Sequence, residues 1–507
     1  MQGFRQEPGR QFKETFANVA RLETLRLLAA LAVLTGKPIH SFDIKQAYLI
    51  ADWPQEFPIW ISGPTHDPTK KGHGRRLLKS LYGNKSAGRH WARHFENVMR
   101  KFGFEPYSKE GSLFVYHNNG EYVICSLYVD DGCYISSSPQ IKEKFEKFLI
   151  DNLPTLPCGT SVVKLMGECT ETLNLKVDQR FETGKSSIHL SQGKYLKKIM
   201  KRFGITRTSK SPANNELLEV KPDENASESF TKEFQEKIGS VIYSANGTSP
   251  GISYPTNKLC STMHAPNDAA MSSVNRLLRF MNGDVDSGIL FQHTGKPLIP
   301  DFSKSARPGT QAPDATLSGA HMAPSPMLPE DNSVKTDPAG HARGASDASW
   351  NSPRSHSGWI FTLAGGAVSW QSRMQSSTAT STSESESVSA CSATRQAVYL
   401  RDTLRFCGFP QCVPTKIDID NQAAIAWSKN KCGFNKRKHI DLSNWYIGDC
   451  VERQQVEFVK IPSKENTSDV FTKLLHSSEE WKRQIQRICT YGYTDRFQRP
   501  ITTSGHV

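Results

Sequence analysis

Polar and apolar positions along this chain fall into two rhythms, one helical and one extended. The longest uninterrupted apolar run is Leu27 to Leu34, preceded by polar Arg21, Glu23, Thr24 and Arg26 and followed by Gly36-Lys37-Pro38. A polar opening and a glycine-proline stop predict a helix. A run apolar on every side predicts a buried one, too short to span a bilayer. Tyr122-Val123-Ile124-Cys125-Ser126-Leu127-Tyr128 is β-branched and aromatic and follows the turn formers Asn118-Asn119-Gly120. It predicts a strand, and Cys133-Tyr134-Ile135 predicts the partner that closes a hairpin.

Residues 12 to about 292 mix both rhythms. A second patterned block starts near Ala345. It predicts strands at Ala345–Trp350, Ser357–Leu363 and Ala367–Gln371, with a Gly365-Gly366 turn between the last two. A helix follows from about Ser383 to Phe406, closed by Gly408. Then come a strand at Thr415–Ile419, a helix from Asn421 to about Ser428, a helix at about Asp441–Glu452 and a strand at Val456–Ile461. A last helix starts near Asn466 and includes Asp469. The order βββαβαβα predicts a mixed sheet with helices on its faces. A further helix around Glu479–Ile488 lies in a basic tail.

Between the blocks, residues 296–343 hold eight of the chain's 28 prolines among Ser, Ala, Gly and Thr. Such a stretch buries little and predicts a disordered linker. The length of 507 residues is consistent with about three domains. With 63 Lys+Arg against 50 Asp+Glu, the net charge is +13. That excess favours a polyanionic partner, nucleic acid before anionic membrane. Eleven cysteines show no zinc spacing and no pairing rhythm. An odd count without a signal peptide predicts free thiols in a reducing compartment.

Charge pattern turns the hairpin into candidate chemistry. Its tip is Tyr128-Val129-Asp130-Asp131-Gly132. Adjacent carboxylates repel, and a hard divalent cation relieves that repulsion. Asp-Asp-Gly is also good turn chemistry, so the pair alone decides nothing. Asp43, in Ser41-Phe42-Asp43-Ile44-Lys45-Gln46-Ala47-Tyr48-Leu49, sits where a strand gives way to a helix, either as an N-cap or as a third carboxylate. In the second block Asp347, Glu386, Asp420 and Asp469 fall at strand ends and helix starts that meet at one sheet edge. Each singly reads as a local cap. Together they suit two magnesium ions about 4 Å apart.

The chain resembles the reverse transcriptase and ribonuclease H portion of copia-class long-terminal-repeat retrotransposon polyproteins. Asp43 to Leu49 (DIKQAYL) and Leu127 to Asp131 (LYVDD) resemble the family's two catalytic motifs. Leu77 to Gly83 (LLKSLYG) and Arg89-His90-Trp91 resemble its template- and nucleotide-contacting segment. Leu165-Met166-Gly167 resembles its primer grip, and Gln192-Gly193-Lys194-Tyr195 its thumb. The later matches are Ser346-Asp347, Ser383-Glu384-Ser385-Glu386, Asp420-Asn421-Gln422 and Ser468-Asp469-Val470-Phe471-Thr472-Lys473.

The resemblance implies an α+β and α/β multidomain chain. Residues 1–150 would form a ferredoxin-like polymerase palm with partial fingers, and 151–295 the palm end, thumb and connection. Residues 296–343 would be a linker or insertion, 344–476 a ribonuclease H-like domain and 477–507 a basic tail. Asp43, Asp130 and Asp131 would hold the polymerase metals, and Asp347, Glu386, Asp420 and Asp469 the ribonuclease H metals. The ions would be Mg2+, two per site, with Mn2+ as an alternative. Tyr48 would gate the incoming sugar unless it is simply a core aromatic. Lys85 and Arg89 would contact the nucleotide, and Met166 and Gly167 the primer. Glu384, about 200° around a helix from Glu386, is the competing acid. His439 fits a helix start or phosphate contact better than a proton shuttle.

The implied partners are an RNA template, a DNA primer, RNA–DNA hybrid and dNTPs, with no membrane, in a cytoplasmic virus-like particle or the nucleus. Ser86 and Gly88 replace the glutamine and proline usual after the LYG motif, and Ser349 replaces an acid. The family's fingers strands are expected upstream of residue 12. Their loss would impair the polymerase more than the ribonuclease H. The competing reading is a catalytically impaired nucleic-acid-binding remnant.

Overall fold

The computed structural model describes residues 3–62, 74–156, 158–304, 340–350, 354–422, 425, 438–475 and 478–488. Most of the helix expected from Asn421 to Ser428, the side chain of His439, residues 305–339 of the expected linker and the tail from 489 lie outside them.

Helix α1 (Leu22–Thr35) forms where the apolar run predicts it, and Gly36 ends it in the left-handed region at φ 64°. The chain continues through β1 (His40–Ile44), α2 (Ala47–Ile50), β2 (Trp60–Ser62), β3 (Gly74–Arg76), α3 (Ala87–Phe102), β4 (Glu105–Pro106) and β5 (Leu113–Asn118). Next come β6 (Glu121–Tyr128), β7 (Asp131–Ser136), α4 (Pro139–Asn152) and β8 (Val163–Glu168). Six strands form an antiparallel sheet in the order β4-β5-β6-β7-β1-β8.

The hairpin strands alternate strictly between two cores. Phe114, Val123, Cys125 and Tyr134 face one cluster with Trp91, Phe95 and Phe145 of α3 and α4. Leu113, Ile124, Cys133 and Ile135 face the other, with α1. Burial on both faces is why β6 reads as a continuous apolar run.

Strands β9 (Glu171–Thr172), β10 (Leu175–Glu182) and β11 (Lys185–Ser191) build a second sheet. Helices α5 (Gly193–Arg202), α6 (Glu228–Gly247), α7 (Ser253–Cys260) and α8 (Asp268–Asn282) follow, and β12 (Gly288–Thr294) completes it in the order β12-β11-β10-β9.

The third sheet comprises β13 (Arg343–Ser349), β14 (His356–Leu363), β15 (Gly366–Met374), β16 (Thr415–Ile419) and β17 (Val456–Lys460). Its order is β15-β14-β13-β16-β17. The first three strands pair antiparallel, while β16 runs parallel to both β13 and β17. Helix α9 (Thr382–Phe406) lies on β13 and β14, and α10 (Lys438–Glu452) lies on α9. A short α11 (Ser478–Ile485) follows.

Three expectations change. The helix expected from Asn466 is a 3-10 segment, Thr467–Phe471. The Asn466 side chain accepts from Ser468 N, and the Phe471 carbonyl is taken by Ser372 Oγ at 2.6 Å, so the turn is locked from both ends. The expected linker boundary also moves. Leu298 N donates to Leu34 O at 2.8 Å, and Phe302 stacks on His117 at 4.6 Å between ring centroids. Residues 296–304 thus pack onto the body.

Finally, the ordered blocks on either side of residues 305–339 share one hydrophobic core. Helix α1 touches all three sheets. Its buried Arg26 donates to Val368 O at 2.8 Å and to Asn246 O at 2.7 Å, with its guanidinium 4.0 Å from the Trp370 ring centroid. Among the described residues no helix is long and apolar enough to cross a membrane.

Candidate active sites

Two groups of acids form. In the first, β1 and β7 pair so that Asp43 lies directly opposite Asp131. Tyr128 and Asp131 close the hairpin across Val129 and Asp130. The turn is strained: Val129, a β-branched residue, adopts φ 58°. It is held there by Trp91, whose indole Nε1 donates to Val129 O at 2.6 Å, while Ile44 N donates to Asp130 O at 3.0 Å.

Gly132 is not the turn residue but part of β7, and a Cβ on it would collide with the Phe42 ring. The glycine therefore lets β1 and β7 close over Phe42 and draw their acids together. Burial raises the pKa of Asp131, and the Asp130 and Asp43 charges raise it further. Asp43 is not a helix cap, since Gln46 occupies the N-cap of α2.

The other expected residues of this region surround the acids unevenly. Tyr48 packs against Tyr82 with ring centroids 4.7 Å apart. Burial raises the pKa of both phenols, and the Asp130 charge adds to it. Tyr82 is thus a neighbour of the acids that the sequence did not single out. Met166 is the extra residue of a β-bulge, because Ser41 pairs with Gly167 and Phe42 with Leu165. Its side chain is half exposed, and Gly167 adopts φ +72°. Lys85 and Arg89 both contact the N-terminal stretch. Lys85 Nζ lies 3.4 Å from Gln6 O, and Arg89 donates to Phe16 O at 3.1 Å while pairing with Glu14.

In the second group Asp347 lies on β13, Glu386 one turn into α9 and Asp420 just past β16. One oxygen from each falls within 4.8 Å of the others, the group of this kind present among the described residues. Glu384 is used elsewhere: it accepts from Thr380 N at 2.6 Å, and its own N–H donates to Ser381 Oγ, which caps α9. Burial pushes Glu386 up to about 9, with Asp347 and Asp420 adding to the shift. Burial raises Asp347 in the same direction. Crowded, half-desolvated carboxylates are a set of hard oxygen donors, and that donor set fits a divalent cation.

Asp469 reaches the group through a residue that sequence reasoning quoted without giving it a role. Lys473 Nζ lies 2.9 Å from Asp469 Oδ1 and 3.3 Å from Asp347 Oδ1. Thr472 Oγ1 donates to Asp347 Oδ2. Burial works against the Lys473 ammonium, yet Asp347 and Asp469 together hold its pKa above the ordinary lysine value. Burial pushes Asp469 up to about 6, helped by Asp347 and opposed by Lys473. The available signal was the spacing, since an acid and a lysine four apart meet on one turn.

One group of acids thus joins β1 to the β6–β7 hairpin, and the other sits on the mixed third sheet. Residues 1–214 match the family model described as reverse transcriptase (RNA-dependent DNA polymerase). Over these residues the chain is similar to reverse transcriptases. It is 24% identical over 487 residues to the retrovirus-related Pol polyprotein from transposon TNT 1-94 of Nicotiana tabacum, covering 94% of this chain and 32% of the relative. It is 25% identical over 481 residues to the Pol polyprotein from transposon RE1 of Arabidopsis thaliana, covering 93% and 29%. The chain thus spans about a third of the length of these curated relatives. Among solved structures it is similar to a foamy viral protease-reverse transcriptase in complex with double-stranded DNA, at TM-score 0.42 and 13% identity, covering 86% of this chain and 59% of that one.

Proposed function

We propose that this chain extends a DNA primer on an RNA template at Asp43, Asp130 and Asp131, and cleaves the RNA of RNA–DNA hybrids at Asp347, Glu386, Asp420 and Asp469. The observation that carries the reading is the convergence of Asp347, Glu386 and Asp420 within 4.8 Å, on a sheet that shares its core with the reverse transcriptase region. In this reading the first sheet is the palm, the second sheet with α5–α8 the thumb and connection, and the third sheet a ribonuclease H-like domain.

The chain's own residues supply placement. Trp91 and Gly132 fix the hairpin so that Asp131 lies opposite Asp43, with Asp130 next to it in the turn. Tyr48, packed on Tyr82, stands beside Asp130 as the surface under the incoming sugar. Met166, pushed out by the bulge in β8, offers an apolar contact to the primer strand. In the second centre Thr472 and Lys473 orient Asp347. Divalent cations, Mg2+ or Mn2+, would be held by the carboxylates of each centre and would supply charge neutralisation at the reacting phosphate.

Primer extension on an RNA template, compared with Asp130→Asn, tests the first activity. Magnesium-dependent cleavage of an RNA–DNA hybrid, compared with Asp347→Asn, tests the second. Wild type no more active than its variant in either assay sinks that half of the reading.

A further inference from the structure

The second acidic centre already contains a cation. Lys473 Nζ stands 3.3 Å from each oxygen of Asp347 and 2.9 Å from Asp469 Oδ1. Its side chain keeps 39% of its surface exposed, but its place is set by the backbone. Its backbone N–H donates to Asp469 O at 3.0 Å, so the pair is set by one helical turn. That turn is fastened to the sheet at three points. Asn466 Nδ2 donates to Ser346 O at 3.1 Å, and Ser372 Oγ donates to Phe471 O at 2.6 Å. Gly358 lets Phe471 and Thr472 approach so closely that a Cβ there would lie 2.7 Å from Thr472 Cγ2.

Asp347 is therefore shared. On one side it joins Glu386 and Asp420 within 4.8 Å, and on the other it meets the ammonium. Asp469, the fourth acid, reaches Asp347 only across Lys473 among the contacts of the described residues. A second divalent ion held by Asp347 and Asp469 would compete with this ammonium for the same carboxylate oxygens. Lysine carries a compact point charge that takes such a place well. Two cations in one partly buried space repel strongly, because solvent screens them poorly.

We propose that Lys473 replaces the second ion of this centre: its ammonium neutralises Asp347 and Asp469, and Asp347, Glu386 and Asp420 hold a single divalent cation. The inference rests on the metal-centre reading above. It makes Lys473 a positioning residue, acting through Asp347 and Asp469, and sets the ion count of the site.

The test counts bound Mn2+ by electron paramagnetic resonance on the full chain carrying Asp130→Asn and Asp131→Asn, which silences the first centre. The relevant ions are those lost when Asp347→Asn is added. One such ion is expected with Lys473 present and with Lys473→Arg, which keeps the charge. Two are expected with Lys473→Gln, together with the spin-coupled signal of a manganese pair. Two ions in the protein with Lys473 intact overturn the inference whatever the variants do, and so does a count that stays at one in a folded Lys473→Gln chain. If no Asp347-dependent ion binds in any of these proteins, the metal-centre reading itself fails.

Discussion

The Tyr399 hydroxyl donates a 2.9 Å hydrogen bond to the Glu110 carboxylate, joining α9 of the third sheet to the loop between β4 and β5 of the first. Glu110 is buried and also accepts from Arg21 N at 3.1 Å and from Thr24 Oγ1. One carboxylate thus ties the start of α1 to both halves of the chain. Glu110→Ala strands these donors in the interior, at about 1–3 kcal/mol for each one left unpaired. We expect a loss of several degrees in thermal midpoint. Tyr399→Phe removes one bond and should cost about 1 kcal/mol. Both variants should still unfold in one transition, followed by circular dichroism. Two separated transitions would contradict the shared core.

Gly132→Ala places a methyl group against Phe42. Overpacking of this kind costs about 1–3 kcal/mol. The strain falls on the pairing that sets Asp43 opposite Asp131, so primer extension should drop more than hybrid cleavage. Paired assays on one preparation measure that ratio, and an equal loss in both would refute the placement.

His356 and His189 are buried, and burial lowers each from the usual 6.5 to about 4. Both stay neutral in the folded chain over a range where the unfolded chain binds their protons. The stability they contribute is complete above about pH 6.5 and is lost as pH falls towards 4, up to about 3 kcal/mol for each. His356 lies 2.9 Å from Asn257 Oδ1. Thermal midpoints at pH 7.5 and pH 5 should differ widely for wild type and less for His356→Gln. An identical acid shift in both proteins would exclude His356 as a source.

Divalent cations that bind only the folded chain stabilise it by mass action. Adding Mn2+ should raise the melting temperature of the chain, and Asp347→Asn should remove the part of that rise due to the second centre. Glu384→Gln, which alters a helix cap and not the cluster, should keep it. Scanning fluorimetry with and without chelator reads the difference.

Much of this architecture is written locally. Strand β16 occupies Thr415–Ile419, as the β-branched run predicts, and α9 runs from Thr382 to Phe406, one residue from the expected start. Asp43 lies at the end of β1 because the Phe42 and Ile44 pattern fixes that strand. What was not legible depends on distant partners. The Thr467–Phe471 turn looks helical by composition, but its conformation is set by Ser372 and Gly358, about a hundred residues away. Lys85 and Arg89 carry the right charge, and the N-terminal stretch decides where they point. Lys473 was visible as a letter in a motif. Its position between two acids follows only from the fold.

Helix α1 has a consequence for synthesis of the chain. Arg26 is made 342 residues before its acceptor at Val368. At translation rates of about 5–20 residues per second, the helix waits roughly 20–70 s on the ribosome for its resting place. Strands β6, β7, β11 and β12 are made earlier and can cover part of the helix, but the face that meets β15 stays uncovered throughout that interval. A holding chaperone that covers this face during the wait should therefore raise the yield of folded chain.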